Sequence, residues 1–130
     1  MSGLTPTPEP AWDGPVALCC SFDTDDHDVM AVLLGDWLGV PLSPKLHHAW
    51  EISYDAPGIE IYAYNAVFLS APVFLMNGST DLGLRDAHTL MHSLHRRALA
   101  HGIGHFIEYT RDTDPPDDVH ILTALEDFTP

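Results

Sequence analysis

Three histidines of one predicted helix have the residue type and the spacing of a metal site. His88, His92 and His95 lie at positions i, i+4 and i+7, within about 60° of one another around a helix. Imidazole nitrogens bind transition metals, and another histidine or a carboxylate would complete the coordination. The same side chains also fit the border between the apolar and polar sides of the helix, where half-buried histidines need no metal. The sequence leaves both interpretations open.

Two acidic clusters carry much of the negative charge of the chain. With 5 Lys and Arg against 19 Asp and Glu, the formal net charge is −14. Such a charge disfavours binding to nucleic acids and anionic membranes and favours a basic partner protein. The residues that would contact this partner are Asp23, Asp25, Asp26, Asp28, Asp112, Asp114, Asp117 and Asp118.

The first acidic cluster does not match a calcium-binding loop. A loop that starts at Asp23 would need glycine at its sixth position and glutamate at its twelfth, where the chain has Asp28 and Leu34. Aspartate and threonine at this place also cap a helix, since they accept hydrogen bonds from its first backbone amides. Without a partner, either cluster is explained as a cap or a solvated loop.

Aromatic residues indicate an alternative function, the binding of a small molecule. Trp37, Glu60, Tyr62 and Tyr64 could form a groove for a hydrophobic cation, held by its charge and by cation–π contacts. Packing between neighbouring strands explains the same tyrosines without a ligand.

No catalytic motif and no family signature is present. The chain has no GxSxG elbow, no glycine-rich phosphate loop and no CxxC pair, and nothing in it implies a cofactor. Cys19 and Cys20 are adjacent, which disfavours an ordinary disulfide between them and suits a reducing compartment. There is neither a signal-peptide pattern nor an apolar run of the ~20 residues that cross a membrane. We therefore expect a cytoplasmic protein.

Hydrophobic periodicity and turn residues predict the elements that position these side chains. In chain order they are a Pro-rich flexible arm over 1–14, a strand over 15–22, a helix over about 26–38, a hairpin with strands 50–55 and 59–64, an apolar run 67–76 broken or bent at Pro72, a turn at 77–80, a helix over about 80–101, strands 105–111 and 119–125, and a loop 112–118 between them.

This order predicts one α+β domain over residues 15–130. The strand–helix–strand–strand order occurs twice, and PVAL at 15–18 resembles PVFL at 72–75. A tandem βαββ pseudo-repeat would give an antiparallel sheet with two helices packed on one face.

Three functions follow from these observations. The first is an inhibitor or immunity-type protein that neutralises a basic partner. The second is a binding domain for a hydrophobic cation, and the third is a metal-binding enzyme that uses His88, His92 and His95. The missing motifs favour a binding protein over an enzyme, and the chain itself could be a homodimer.

Overall fold

The first predicted strand lies near the centre of the sheet. The computed structural model describes residues 15–66, 72–111 and 119–124. In chain order the elements are β1 (Val16–Phe22), α1 (His27–Leu38), β2 (Lys45–Leu46), β3 (Trp50–Ala56), β4 (Ile59–Ala66), β5 (Val73–Thr80), α2 (Leu84–Ala100), β6 (His105–Arg111) and β7 (His120–Ala124). The strands form one antiparallel sheet in the order β2-β3-β4-β5-β1-β6-β7.

The α+β class and the antiparallel sheet are confirmed, but the tandem repeat is not. β1 and β5 pair at the centre, as equivalent strands of two repeats would. However, β5 is flanked by β4, the second strand of its neighbouring hairpin, whereas β1 is flanked by β6, the first strand of the other hairpin. In two equivalent βαββ units, β3 would correspond to β6 and β4 to β7. The strands beside the central pair would then be β3 and β6, or β4 and β7, whereas they are β4 and β6.

Among the described residues, strand alternation gives the sheet a covered face, on which both helices pack, and an open face, on which neither helix packs. In β1, Val16, Leu18, Cys20 and Phe22 are buried, while Ala17 and Cys19 between them are exposed. Side chains of successive strand residues point to opposite faces, so the buried set defines the face that both helices cover. The core on that face also contains Met30, Leu33, Leu34, Ile52, Phe74, Met76, Met91, Leu94 and Ile107.

The first helix begins and ends at residue types that favour these positions. The Asp26 side chain accepts hydrogen bonds from the amides of Asp28 and Val29, and Gly39 ends the helix with a φ of 72°. A left-handed residue at this position favours glycine, which has no Cβ to crowd the carbonyl.

The two helices contact each other through polar groups as well as through the core. The indole Nε1 of Trp37 donates to the carbonyl of Leu90 at 3.0 Å. Arg97 of α2 donates to the Asp36 carboxylate of α1 at 2.9 Å, and this bond lowers the pKa of Asp36. No helix within residues 15–66, 72–111 and 119–124 has the length and apolar character that crossing a membrane requires.

The turn predicted at residues 77–80 is wrong. Asn77, Gly78, Ser79 and Thr80 continue β5 and pair with β4 on one side and with β1 on the other. The Asn-Gly signal for a turn is overridden because the strand fits between two neighbours over its whole length. Helix α2 consequently begins at Leu84 instead of residue 80.

Several predicted segments lie outside the described residues. They are the arm 1–14, the loop 112–118, residues 67–71 of the apolar run and Leu125 at the end of the last strand.

Candidate functional site on the open face of the sheet

The register of the sheet brings acidic and aromatic residues of distant segments into rows across the open face. One row runs Asp55, Glu60, Ser79, Ala17 and Thr110. The next row runs Ser53, Tyr62, Asn77, Cys19, Glu108 and Ile121. A third begins at Lys45 and continues through Glu51, Tyr64, Leu75, Ser21, Phe106 and Thr123. Neither helix covers these side chains.

Two carboxylates face each other directly in the first row. Asp55 of β3 is the cross-strand partner of Glu60 of β4, and both are exposed. Like charges directly opposite each other on one sheet face are destabilising. Within the part of the chain that the structure describes, no ion pair involves either carboxylate.

A shallow depression of about 460 Å³ lies beside this pair. It is lined by Ser53, Tyr54, Asp55, Glu60, Ile61, Tyr62, Asn77 and Gly78. A second depression, of about 240 Å³, shares Asp55 and Glu60 and adds Asp81 from the segment after β5. The two carboxylates are therefore accessible from both depressions.

Gly78 accounts for the close approach of β4 and β5 beside the larger depression. A Cβ at this position would lie 2.3 Å from the carbonyl oxygen of Glu60. Any other residue would push β5 away from β4, so glycine is required for the local backbone path.

Two tyrosines follow Glu60 along β4 on the same face of the sheet. The rings of Tyr62 and Tyr64 lie 5.5 Å apart between centroids, at an angle of 34°. The nearby Glu51 carboxylate favours the protonated hydroxyl of Tyr62 and so raises the pKa of this group. Glu51 also contacts His47 at 3.2 Å, so it has neighbours that Asp55 and Glu60 lack.

The structure brings together three of the four residues predicted for a ligand groove. Glu60, Tyr62 and Tyr64 lie on the open face, whereas Trp37 is buried in α1 and bonds to α2 on the covered face. The sheet separates Trp37 from the other three. The prediction that Trp37 lines the groove is wrong, because the apolar side of α1 that carries Trp37 packs in the core.

The first acidic cluster lies at one end of β1. Asp26 caps α1, and the amide of Asp23 donates to the carbonyl of Gly104 at 2.8 Å. Asp25 and Asp28 are exposed.

The second cluster, Asp112, Asp114, Asp117 and Asp118, lies outside the described residues. Arg111, the described residue that precedes it, pairs with Val16 at the opposite end of β1 from Asp23. Arg111 and the first acidic cluster therefore lie at opposite ends of β1.

The histidines of α2 belong to two separate contacts with the sheet. His88 Nδ1 lies 2.6 Å from the Tyr109 hydroxyl, and its ring lies 4.7 Å from that of His120. Two turns along, His95 Nδ1 lies 2.7 Å from Nε2 of His105. His92 is exposed between them.

The two contacts leave no shared metal position. Among residues 15–66, 72–111 and 119–124, no three His, Cys, Asp or Glu side chains converge on a common point. In the same ranges every buried side-chain nitrogen or oxygen has a hydrogen-bond partner. The metal site on His88, His92 and His95 stays a prediction that these contacts do not support.

The adjacent cysteines point to opposite faces of β1. Cys19 is exposed on the open face, and Cys20 is buried in the core. Burial raises the pKa of the Cys20 thiol to about 12, so it is inert near neutral pH.

Sequence reasoning missed the Asp55–Glu60 pair as a feature of the site. The signal was available, because a short hairpin loop fixes the register and places residues at equal distances from the turn opposite each other.

Comparison of the chain with family models, curated proteins and solved structures gave no match.

Proposed function

We propose that this protein is a small acidic binding protein that neutralises a basic partner protein, in the manner of an inhibitor or an immunity protein. The observation that carries the proposal is the Asp55–Glu60 pair, two opposed carboxylates on the open sheet face beside the exposed ring of Tyr62. A lysine or arginine side chain bound between them would remove their repulsion, which gives the partner a direct electrostatic gain.

The composition supports the same function. A net charge of −14 accelerates association with a basic protein. The same charge repels a second copy of this chain, so it disfavours self-association through the open face. Tyr62 beside the carboxylates adds a ring that an arginine side chain can stack on. Cys19 and Cys20 are free thiols, which supports action in the reducing cytoplasm.

The proposal is tested by affinity chromatography of native lysate on three columns. They carry the wild type, an Asp55→Lys/Glu60→Lys variant of the open face, and an Asp25→Lys/Asp28→Lys variant of the first acidic loop. Both variants change the net charge equally, so general electrostatic attraction falls equally in both.

We expect the wild-type and loop-variant columns to retain a basic protein that the open-face variant does not retain. After purification, this protein should form a salt-sensitive complex with the wild type. Loss on the loop variant alone would keep the function but move the contact to residues 23–28. Equal retention on all three columns, or no basic protein on the wild-type column, would contradict the proposal.

A second candidate, binding of a small hydrophobic cation, is favoured by the depression of about 460 Å³ lined by Glu60 and Tyr62. Benzyltrimethylammonium is a suitable probe, because it combines a positive charge with an aromatic ring. If it binds here, the melting temperature rises with its concentration in the wild type and does not rise in Glu60→Gln. An unchanged melting temperature in the wild type rules out this cation class.

A further inference from the structure

The edge of the sheet next to the opposed carboxylates is incomplete. β2 pairs with β3 only through Lys45 opposite Glu51 and Leu46 opposite Trp50. Within the described ranges, no strand pairs with the outer side of β3 from Ile52 to Ala56. Five residues of extended chain span about 17 Å. An uncovered stretch of this length can accept a strand from another molecule.

The two faces of this edge differ in chemistry. Glu51, Ser53 and Asp55 point to the open face, where the acidic row lies. Ile52 and Tyr54 point to the covered face, where Ile52 is buried and Tyr54 packs against the core. A strand added here would have one set of alternate side chains beside carboxylates and the other beside apolar groups.

From this we infer that the outer edge of β3 binds an extended segment of the basic partner, in which basic and apolar residues alternate. The inference rests on the proposed function and specifies the mode of binding. The added strand pairs with the part of β3 that β2 leaves uncovered, from Ile52 to Ala56, through backbone hydrogen bonds. Its basic side chains lie beside Asp55 on the open face, and its apolar side chains lie beside Ile52 and Tyr54 on the covered face.

Charge determines which occupant fits. Pairing of two copies along this edge would bring the acidic rows of two chains, each with a net charge of −14, next to each other. A basic segment reverses the sign of this interaction. The edge therefore selects an unlike partner over a second copy.

The test uses the full-length protein and three synthetic peptides. The first peptide alternates lysine and valine, the second has the same composition with the lysines in one block, and the third is the alternating peptide with alternate backbone amides N-methylated on the edge that would face β3. All three carry the same charge, so differences in affinity report pattern and backbone bonding. Affinity is measured by calorimetry at low and high salt, and the site by amide hydrogen exchange.

We expect the alternating peptide to bind at least about tenfold more tightly than the other two, because they lose the matched faces or the backbone hydrogen bonds. Its binding slows exchange of outward-facing amides of β3 between Ile52 and Ala56. Asp55→Lys weakens it, whereas Asp86→Lys, which reverses an exposed charge on α2, has a much smaller effect.

Other outcomes separate the binding mode from the function. Equal affinity of the alternating and N-methylated peptides, with loss of both in Asp55→Lys, overturns strand addition but leaves a basic partner on the open face. Slow exchange of these β3 amides in the free protein also overturns it, since the edge is then already covered by this chain or by a second copy. Failure of all three peptides to bind at low salt contradicts both the binding mode and the attraction of this face for basic chains.

Discussion

His95 donates a hydrogen bond from Nδ1 to Nε2 of His105, and this direction is fixed by a third group. His105 Nδ1 lies 2.9 Å from the carbonyl oxygen of Ile103, which can only accept, so this nitrogen carries the proton. In the neutral ring of His105, Nε2 is then an acceptor, so His95 Nδ1 is the donor of this 2.7 Å hydrogen bond. The bond joins α2 to a fully buried residue of β6.

This pair predicts that the protein loses stability in mild acid. Burial lowers the pKa of His95, and the nearby His105 lowers it further. Because the unfolded value is near 6.5, the unfolded chain binds protons more readily, and the free energy of unfolding falls as the pH drops from about 7 to about 5. The contribution of unprotonated His95 to stability is fully present above the pKa that His95 has in the unfolded chain. Urea denaturation at several pH values measures it.

The matched variants for this prediction are His95→Gln and His48→Gln. Glutamine at position 95 can still donate to His105 but does not titrate, so the dependence of stability on pH becomes weaker. His48 is exposed in the loop before β3, and its variant keeps the wild-type profile. Identical profiles for wild type and His95→Gln would show that the pair is not the proton-sensitive group.

Replacing Asp55 or Glu60 with its amide is expected to stabilise the protein and weaken its binding to a basic partner. Each change removes one of two opposed like charges, a gain of about 0.5 kcal/mol that shrinks in high salt. The same change removes a charge that a lysine of the partner would contact. Urea denaturation of Asp55→Asn and Glu60→Gln, with calorimetry of the lysine–valine peptide, measures both effects. Lower stability together with unchanged binding would show that these carboxylates have a structural role.

Gly78→Ala is expected to destabilise the sheet strongly. Its Cβ would meet the Glu60 carbonyl, a backbone group that cannot move alone, so we expect a loss of about 3 kcal/mol. Gly39→Ala is the control, because only its left-handed φ is unfavourable for alanine and the loss is about 1 kcal/mol. Equal losses would mean that β5 shifts easily to accommodate the methyl group.

Substitutions at Asp26 and Asp25 test whether the first acidic cluster stabilises α1 through its cap. Asp26→Ala removes the acceptor for two amides at the start of α1 and should lower stability by about 1 kcal/mol. Asp25→Ala should leave stability almost unchanged, since Asp25 is exposed ahead of the cap. Chemical denaturation compares the two variants. If Asp25→Ala costs as much as Asp26→Ala, the local charge, and not the cap, supports the helix.

The sequence predicted elements well where local signals agreed with tertiary packing. The strand predicted from the apolar run 15–22 is present as β1, and Asp26 and Gly39 bound α1 as their residue types predict. The prediction failed at residues 77–80, because the pairing of β5 with two neighbours outweighs a local turn preference. The two-residue strand β2 has no periodicity that could reveal it.

The candidate site was only partly predictable for a related reason. Tyr62, Tyr64 and Glu60 were identified because they alternate within one strand. Helical spacing could not reveal that His88 and His95 bond to Tyr109 and His105, because those partners depend on how α2 crosses β6. Trp37 was assigned to the ligand groove because a sequence does not tell which side of a sheet a helix covers.

The central position of β1 has a consequence for how the chain folds during synthesis. β1 leaves the ribosome before the other six strands of the described sheet, yet both of its neighbours, β5 and β6, lie more than 50 residues further along the chain. Local pairs such as the β3–β4 hairpin can form early, but β1 cannot pair fully with β5 until residue 80 has emerged, or with β6 until residue 111 has emerged. Closure of the sheet around β1 is therefore a late step, and a ribosome stalled before β6 would hold a chain that is prone to aggregate through its first strand.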